Sequence, residues 1–341
     1  MTELHPSYTE KCCTPPDGAV WVVNHDAPEG IASLRYMALY PARSRGEPVA
    51  RFLAGMNATA FLDRWRPSVL VLTKAFEPSI VDLVLAARQR SIRVIAVLCD
   101  DRSDRPRLQD LDAKVASLAD DIVLQTKSMA RHVLQTFGRD STIIEEPYEM
   151  PAGVPRFDPG ESVKLLWYGR LTNHDTLSSG MLPLVNDRDL SFKLVIVTDS
   201  LSTELVTLAR QISSRDGASV ELQRWTLQRQ AEALADTDLV IIPSLDRRDK
   251  MVKGHNRLVE AIRAGVPALA YPLPAYQELS EFCWCGDDLR VGLKWVLGHR
   301  EAAVDRVRWG QSYIEQRFSM ESINVRWQQL FDAPRATGTH G

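Results

Sequence analysis

The stretch Asp238-Leu-Val-Ile-Ile-Pro-Ser244, continued by Leu245-Asp-Arg-Arg-Asp-Lys-Met-Val-Lys-Gly-His-Asn-Arg-Leu-Val-Glu260 and Ala261-Ile-Arg-Ala-Gly-Val-Pro-Ala-Leu-Ala-Tyr271, decides the fold. Leu239–Ser244 is a short continuous apolar run, too short for a helix and right for a strand buried on both faces. Leu245–Gly254 is polar. Arg257–Ala264 carries apolar residues at three-to-four spacing, the pattern of a helix with one buried face. Gly265-Val-Pro267 closes that helix and feeds a second apolar run, Val266–Tyr271. Strand, loop, helix and strand in this order form the repeating unit of a parallel α/β sheet.

The same alternation extends outward in both directions. Toward the C-terminal half, further apolar runs are Lys164–Gly169, Phe192–Thr198 and Ser219–Trp225; toward the N-terminal half they are Ala19–Asn24, Ser68–Thr73, Arg93–Leu98, Asp121–Thr126 and Thr142–Glu145. Helical patterns lie between them at Ser79–Gln89, Lys127–Phe137, Leu201–Ser213 and Leu227–Ala235. The run Pro147–Gly160 has no period, and Pro147, Pro151, Pro155 and Pro159 break it, so it reads as an interdomain linker. The expected architecture is therefore α/β, with two Rossmann-like doubly wound parallel-sheet domains facing a central cleft. Residues 1–152 are expected to form an N-terminal domain and 153–315 a C-terminal domain. Residues 316–341 hold a C-terminal helix, for which a return to the N-terminal domain is open, and a tail. The first dozen residues and the tail after Ala333 read as mobile ends.

A chain of 341 residues with 45% hydrophobic and 25% charged content suits two soluble domains. Its net charge of −3 argues against a nucleic-acid partner. Cys12-Cys13, Cys99, Cys283 and Cys285 lack the spacing of a zinc site, so no metal is expected there. Neither a signal peptide nor an apolar run long enough to cross a bilayer is present, which places the chain in the cytoplasm, with peripheral contact at the inner face of the membrane left open.

Chemistry concentrates after the strands, because ligands of parallel sheets bind at strand carboxyl ends near helix N-termini. Lys253, Asn256 and Arg257 crowd one such helix start. A helix N-terminus repels cations, so a lysine and an arginine there make sense around an anion; ammonium, amide, guanidinium and backbone N–H groups together suit a diphosphate. Glu260, one turn further on, is placed to accept hydrogen bonds from ribose or sugar hydroxyls. The competing reading is a solvated helix end with Glu260 as a salt-bridge partner.

The pattern Ala235-Asp … Pro243-Ser244, Lys253-Gly-His-Asn-Arg257, Glu260-Ala261, Gly265-Val-Pro267 and Ala270 resembles the donor-binding region of GT-B glycosyltransferases of the family 4, or group 1, type. These are nucleotide-sugar-dependent enzymes of bacterial surface-polysaccharide synthesis. The resemblance implies that Lys253, Asn256, Arg257 and the helix N-terminus receive the donor diphosphate and that Glu260 receives the ribose. It implies no cofactor beyond the nucleotide-diphosphate sugar as co-substrate, and metal independence. Many relatives carry a second glutamate eight residues before the one matching Glu260; Val252 stands there, which leaves inversion or retention open. Tyr276 and Glu278, after the next strand, are placed to line the sugar pocket, or Tyr276 simply packs. Gly169-Arg170 matches a strand-end motif that relatives follow with a lysine; here Asn173 and His174 occupy that loop, and Arg170, Asn173 and His174 are donor-side candidates. Thr198 and Trp225 end two further strands and are candidates for the nucleobase and ribose.

In the N-terminal half, the loop His25-Asp26-Ala-Pro-Glu29-Gly30 follows the first strand and leads into a helix at Ile31–Tyr36. Glu29, Gly30 and Lys74 are acceptor-side candidates, the acceptor being a glycan, a lipid-linked or a small-molecule hydroxyl. His25, Asp26, Asp100 and Asp101 are candidates for the general base an inverting transfer requires. Tyr36, Tyr40-Pro-Ala-Arg43 and Leu98–Asp101 also resemble bacterial glycosyltransferases encoded with surface-polysaccharide genes. Two other readings keep a similar fold: a nucleotide-sugar enzyme that does not transfer, of the 2-epimerase kind, and a two-lobed binding protein without catalysis. A dehydrogenase is disfavoured, since the loop after Asn24 has only Gly30 in place of a Gly-x-Gly-x-x-Gly.

Overall fold

The computed structural model describes residues 18–334. Cys12-Cys13, the expected mobile N-terminal end and the tail from residue 335 lie outside the described residues. The chain divides into two compact units. The N-terminal unit holds residues 18–147, Val252–Gly254 and 317–334; the C-terminal unit holds Tyr148–Met251 and His255–Gln316.

The N-terminal unit is built on a six-stranded, all-parallel sheet in the order β2-β1-β3-β4-β5-β6. Its strands are β1 (Ala19–Val23), β2 (Val49–Arg51), β3 (Val69–Thr73), β4 (Arg93–Val97), β5 (Asp121–Leu124) and β6 (Thr142–Ile143). Side chains alternate across the sheet, so each apolar run feeds two cores. Val20, Val22, Leu70, Leu72, Val94 and Ala96 pack with Phe61, Leu62, Leu83, Val84 and Val115 from the helices Ala58–Trp65, Ser79–Gln89 and Pro106–Leu118. Trp21, Val23, Val71, Ile95 and Val97 face the other way, onto Leu34, Met37 and Ala42 and onto Ile323, Trp327 and Leu330 of the C-terminal helix Met320–Asp332. Trp327 meets Trp21 edge-on at 4.6 Å between ring centroids. Trp21 keeps its indole N–H satisfied by donating to Glu47 at 2.6 Å. An aromatic side chain buried this way contributes about 3 kcal/mol from apolar area alone.

The C-terminal unit repeats the plan with the order β12-β11-β10-β7-β8-β9, again all parallel. Its strands are β7 (Val163–Gly169), β8 (Phe192–Thr198), β9 (Ala218–Arg224), β10 (Leu239–Ile242), β11 (Ala268–Ala270) and β12 (Trp284–Cys285). The linker Pro147–Gly160 has no regular structure, yet its backbone is fastened within this unit. Gly153 donates its N–H to the Arg263 carbonyl at 3.0 Å and Arg156 to that of Gly265 at 3.1 Å. Gly265 has φ +79°, and a Cβ there would stand 2.5 Å from the Val154 carbonyl oxygen, so the turn that ends the helix admits only glycine.

Two strands escape the sequence reading. β2 and β12 are three and two residues long and sit at sheet edges, each paired on one side only. Segments so short present no readable alternation. The helix expected at Ile31–Tyr36 is longer and irregular: Ala32–Leu34 runs into a π-helical stretch, Arg35–Leu39, and then Tyr40–Arg45. No helix among the described residues is long and apolar enough to cross a membrane.

Candidate functional site

In each sheet the strand order reverses once, and such a reversal leaves a crevice at the strand carboxyl ends. In the C-terminal unit the reversal falls between β7 and β10. The end of β7 is Gly169, where a Cβ would lie 3.2 Å from the Trp167 ring and 3.8 Å from Nη1 of Arg257. The polar loop after β10 ends at the helix Asn256–Arg263, whose backbone is anchored to β7 by the Tyr168 hydroxyl donating to the Arg257 carbonyl at 2.7 Å. His255, at the cap of this helix, makes no side-chain capping bond, and its carbonyl accepts the Leu258 N–H at 3.0 Å. Arg257 Nη1 and Asn256 Oδ1 are buried and have no hydrogen-bond partner. A buried guanidinium nitrogen without an acceptor costs about 1–3 kcal/mol or more unless a ligand satisfies it. At a helix N-terminus it adds positive charge where the backbone is already positive, and an anion removes both penalties.

The rest of this crevice is charged and internally paired. Arg170, largely exposed, lies 3.4 Å from Asp199, which also accepts the Leu171 N–H at 2.7 Å. Burial works against the charged form of Asp199, but the Leu171 amide and Arg170 outweigh it and hold the carboxyl below its ordinary range. Arg247 binds Asp175 at 2.6 Å and Asp249 at 3.1 Å. Lys250, buried, donates to Asn173 Oδ1 at 2.7 Å. His174 opens the helix His174–Asn186, with its Nδ1 3.1 Å from the Leu171 carbonyl. His255 Nε2 lies 3.7 Å from Glu278.

Of the other donor-side candidates, Glu260, Tyr276 and Thr198 are enclosed by protein and Trp225 is half-buried. Glu260 is 1% exposed, and its two oxygens accept the backbone N–H groups of Glu149 (2.7 Å) and Met150 (2.8 Å), which ties the linker to the helix. Tyr276, in the short helix Pro274–Gln277, is 2% exposed. Thr198 is fully buried, and its hydroxyl donates to Asp199 at 3.2 Å. The Trp225 indole donates to Gln230 at 2.7 Å.

In the N-terminal unit the reversal falls between β1 and β3. Asn24, directly after β1, is the hub. Its amide donates to the Phe52 carbonyl at 2.5 Å, and its Oδ1 accepts the Phe76 and Glu77 N–H groups at 2.9 and 2.7 Å. One side chain thus holds the ends of three strands. His25 Nδ1 accepts the Ala27 N–H at 3.1 Å, and its ring packs edge-on against Phe76. An amide can only donate, so the neutral ring carries its proton on Nε2 and presents a donor there. Asp26 is exposed; its carbonyl accepts from Arg51 at 3.1 Å. Glu29 and Gly30 lie in the turn Pro28–Gly30, and the Glu29 carbonyl accepts from Arg35 at 2.7 Å.

Lys74 ends β3 with φ +53°, and its ammonium meets Asp100 at 2.6 Å and the Ser33 hydroxyl at 3.2 Å. The other oxygen of Asp100 meets Lys253 at 2.7 Å. Burial opposes the charge on Asp100, but the two ammonium groups prevail and hold its carboxyl well below the carboxylate range, which makes it a weak proton acceptor. Lys253 therefore stands with Asp100 and Lys74 in the N-terminal unit, while Asn256 and Arg257 stand at the β7–β10 crevice. Val252, where relatives carry a glutamate, is 4% exposed and packs with Leu98, Ile122, Leu124 and Met129 in the N-terminal unit. Asp101 is buried; it caps the turn by accepting the Ser103 N–H at 2.8 Å and lies 3.7 Å from His132.

The sequence reading passed over Asn24 and Lys250. The signal for Asn24 was a lone amide side chain at the end of an apolar run. Lys250 had none, being one of several cations in a polar loop.

No protein-family profile matches the chain, and no curated protein sequence matches it. Solved structures do. HepE from Anabaena, in complex with UDP and glucose, superimposes with a TM-score of 0.70 at 11% identity, over 93% of this chain and 100% of that one. A glycosyltransferase from Rickettsia africae gives 0.71 at 10% identity over 93% and 98%. The lipopolysaccharide outer core galactosyltransferase WaaB, in its apo form, gives 0.62 at 11% identity over 92% and 99%. At these identities the likeness is one of fold, and the chain has the GT-B fold of two Rossmann-like units.

Proposed function

We propose that the protein is a glycosyltransferase that moves a sugar from a nucleotide-diphosphate donor to a hydroxyl acceptor, in bacterial glycan or glycoconjugate synthesis. One observation carries this reading: a buried Arg257 guanidinium nitrogen without a partner, at a helix start beside Gly169, where the sheet order reverses. The crevice is short of one anion, and a nucleoside diphosphate supplies it. As the glycosidic bond breaks, negative charge grows on the leaving diphosphate. Arg257 and the helix N–H groups are already aimed there, so they stabilise that charge without reorganising. The fold likeness to HepE, whose structure holds UDP and glucose, supports trying a uridine donor first. In this reading the nucleotide sugar is the co-substrate, no metal takes part, and the acceptor is a glycan, a lipid-linked or a small-molecule hydroxyl.

A thermal-shift panel of nucleoside diphosphates and sugar nucleotides, run in EDTA, tests the reading. A specific binder raises the melting temperature by mass action, about 2.7 kcal/mol of stabilisation at a hundred times its dissociation constant. The best donor is then incubated without acceptor. Slow release of sugar and nucleoside diphosphate is the expected result. An isomerised sugar nucleotide would place the protein among epimerases, and a panel without any shift would remove the donor site altogether.

A further inference from the structure

We propose that the Trp167 indole N–H is a second donor to the diphosphate, acting beside Arg257 at a point that Gly169 keeps open. The proposal rests on the donor-site reading above and adds to it a residue outside the strand-loop-helix pattern from which that reading came.

Trp167 and Gly169 flank Tyr168 on β7, so they face the same side of the sheet. The Trp167 ring leans along the strand toward its carboxyl end. The Cβ that Gly169 lacks would stand 3.2 Å from Cζ2 and 3.3 Å from Cη2 of that ring, and 3.8 Å from Nη1 of Arg257. One point is therefore bordered by both the indole and the guanidinium. Nε1 is two bonds from Cζ2, on the adjoining edge of the indole.

Both donors lack an acceptor. Trp167 is fully buried, and neither its Nε1 nor Arg257 Nη1 has a hydrogen-bond partner. A buried indole N–H usually finds one, because leaving it unpaired costs its desolvation. Two other tryptophans of this protein keep that rule: Trp21 donates to Glu47 and Trp225 to Gln230. Indole and guanidinium can only donate, so a group that satisfies both must be an acceptor. The charge on Arg257 selects an anionic one, and a phosphate presents several oxygens to neighbouring donors. Gly169 is half-buried, so the point lies at the margin of the core rather than inside it. Any larger residue at 169 would press on the Trp167 ring, since a Cβ at 3.2 Å is closer than the optimal separation of carbon atoms. Gly169 thus keeps the approach to both donors clear.

Proton–nitrogen NMR spectra of protein labelled on its indole nitrogens test the proposal. The peak lost in Trp167→Phe belongs to Trp167. UDP, or whichever of GDP, ADP and TDP binds in its place, should move that peak downfield at saturation, and the matching nucleoside should leave it where it is. In calorimetric titrations the nucleoside diphosphate should bind about ten-fold more weakly to Trp167→Phe, which keeps a ring without the N–H, and to Gly169→Ala, while nucleoside affinity changes less than about two-fold. A peak unmoved at saturation, an unchanged diphosphate affinity in Trp167→Phe, or equal losses for diphosphate and nucleoside would overturn the assignment to Trp167 and leave the donor site standing. If wild type binds none of the four diphosphates, the donor-site reading fails and this proposal falls with it. Should Trp167→Phe not fold, Gly169→Ala, which presses on that ring, assigns the peak by its displacement and carries the affinity test.

Discussion

At the β1–β3 reversal the amide and charged side chains satisfy one another, although the buried Thr73 hydroxyl at the end of β3 has no partner. Asn24 spends both ends of its amide on Phe52, Phe76 and Glu77, and Asp100 is clasped by Lys74 and Lys253. At the β7–β10 reversal they do not, for Arg257 and Asn256 each bury a polar atom that bonds to nothing. The two reversals of the same fold thus differ: in one the charged side chains are paired, and in the other a guanidinium nitrogen is not, which is the difference on which the proposed donor site rests.

The largest effect that could break this contrast is on transfer. Arg257→Ala should lower kcat/KM for the donor by about 10²–10³-fold, the range for removing one preset donor to a developing charge. The same substitution should leave stability unchanged or raise it by a few tenths of a kcal/mol, since alanine favours helices and an unpaired cation leaves a helix N-terminus. Activity within three-fold of wild type, or a clear loss of stability, would make Arg257 a structural residue rather than part of the donor site.

At the β1–β3 reversal the expectation is the opposite. Asn24→Ala strands two amide N–H groups and should cost about 1–3 kcal/mol in denaturant unfolding. An unchanged midpoint would mean the three strand ends hold without it. A smaller effect concerns pH. Asp100 has a folded-state pKa depressed below its unfolded value, so its stabilisation is complete above the ordinary aspartate range near 4 and is lost as pH falls below it. Asp100→Asn should cost about 1 kcal/mol at pH 6, in keeping with a partly exposed ion pair, and the gap to wild type should narrow below pH ~4. A gap that stays constant from pH 6 to 3 would show that the pair is not what stabilises the strand ends.

Much of the fold is legible because parallel strands covered on both faces must be apolar without interruption. Trp21 and Val22 serve opposite cores, yet both belong to one readable run. β2 and β12 lack that property, being edge pieces too short to carry a pattern. The candidate donor site was legible to the extent that it is local: strand, polar loop and the Asn256–Arg257 helix start are consecutive in sequence. Contacts made across the chain were not. Lys253 belongs by spacing with Arg257, but its carboxylate partner Asp100 lies 153 positions away. Glu260 reads as an open carboxylate until the linker amides at 149 and 150 are placed upon it.

Glu145 gives the connection between the units a further meaning. It stands just before the chain leaves the N-terminal unit at Pro147, and it binds Arg317, the first residue after the chain returns, at 2.7 Å, as well as Arg326. One carboxylate therefore clasps both the exit and the re-entry. Residues 148–316 are thus inserted between two parts of the N-terminal unit that one carboxylate holds together, and exchanging them would take two junctions, at 147/148 and 316/317, and would also remove Val252–Gly254, which pack with the N-terminal unit.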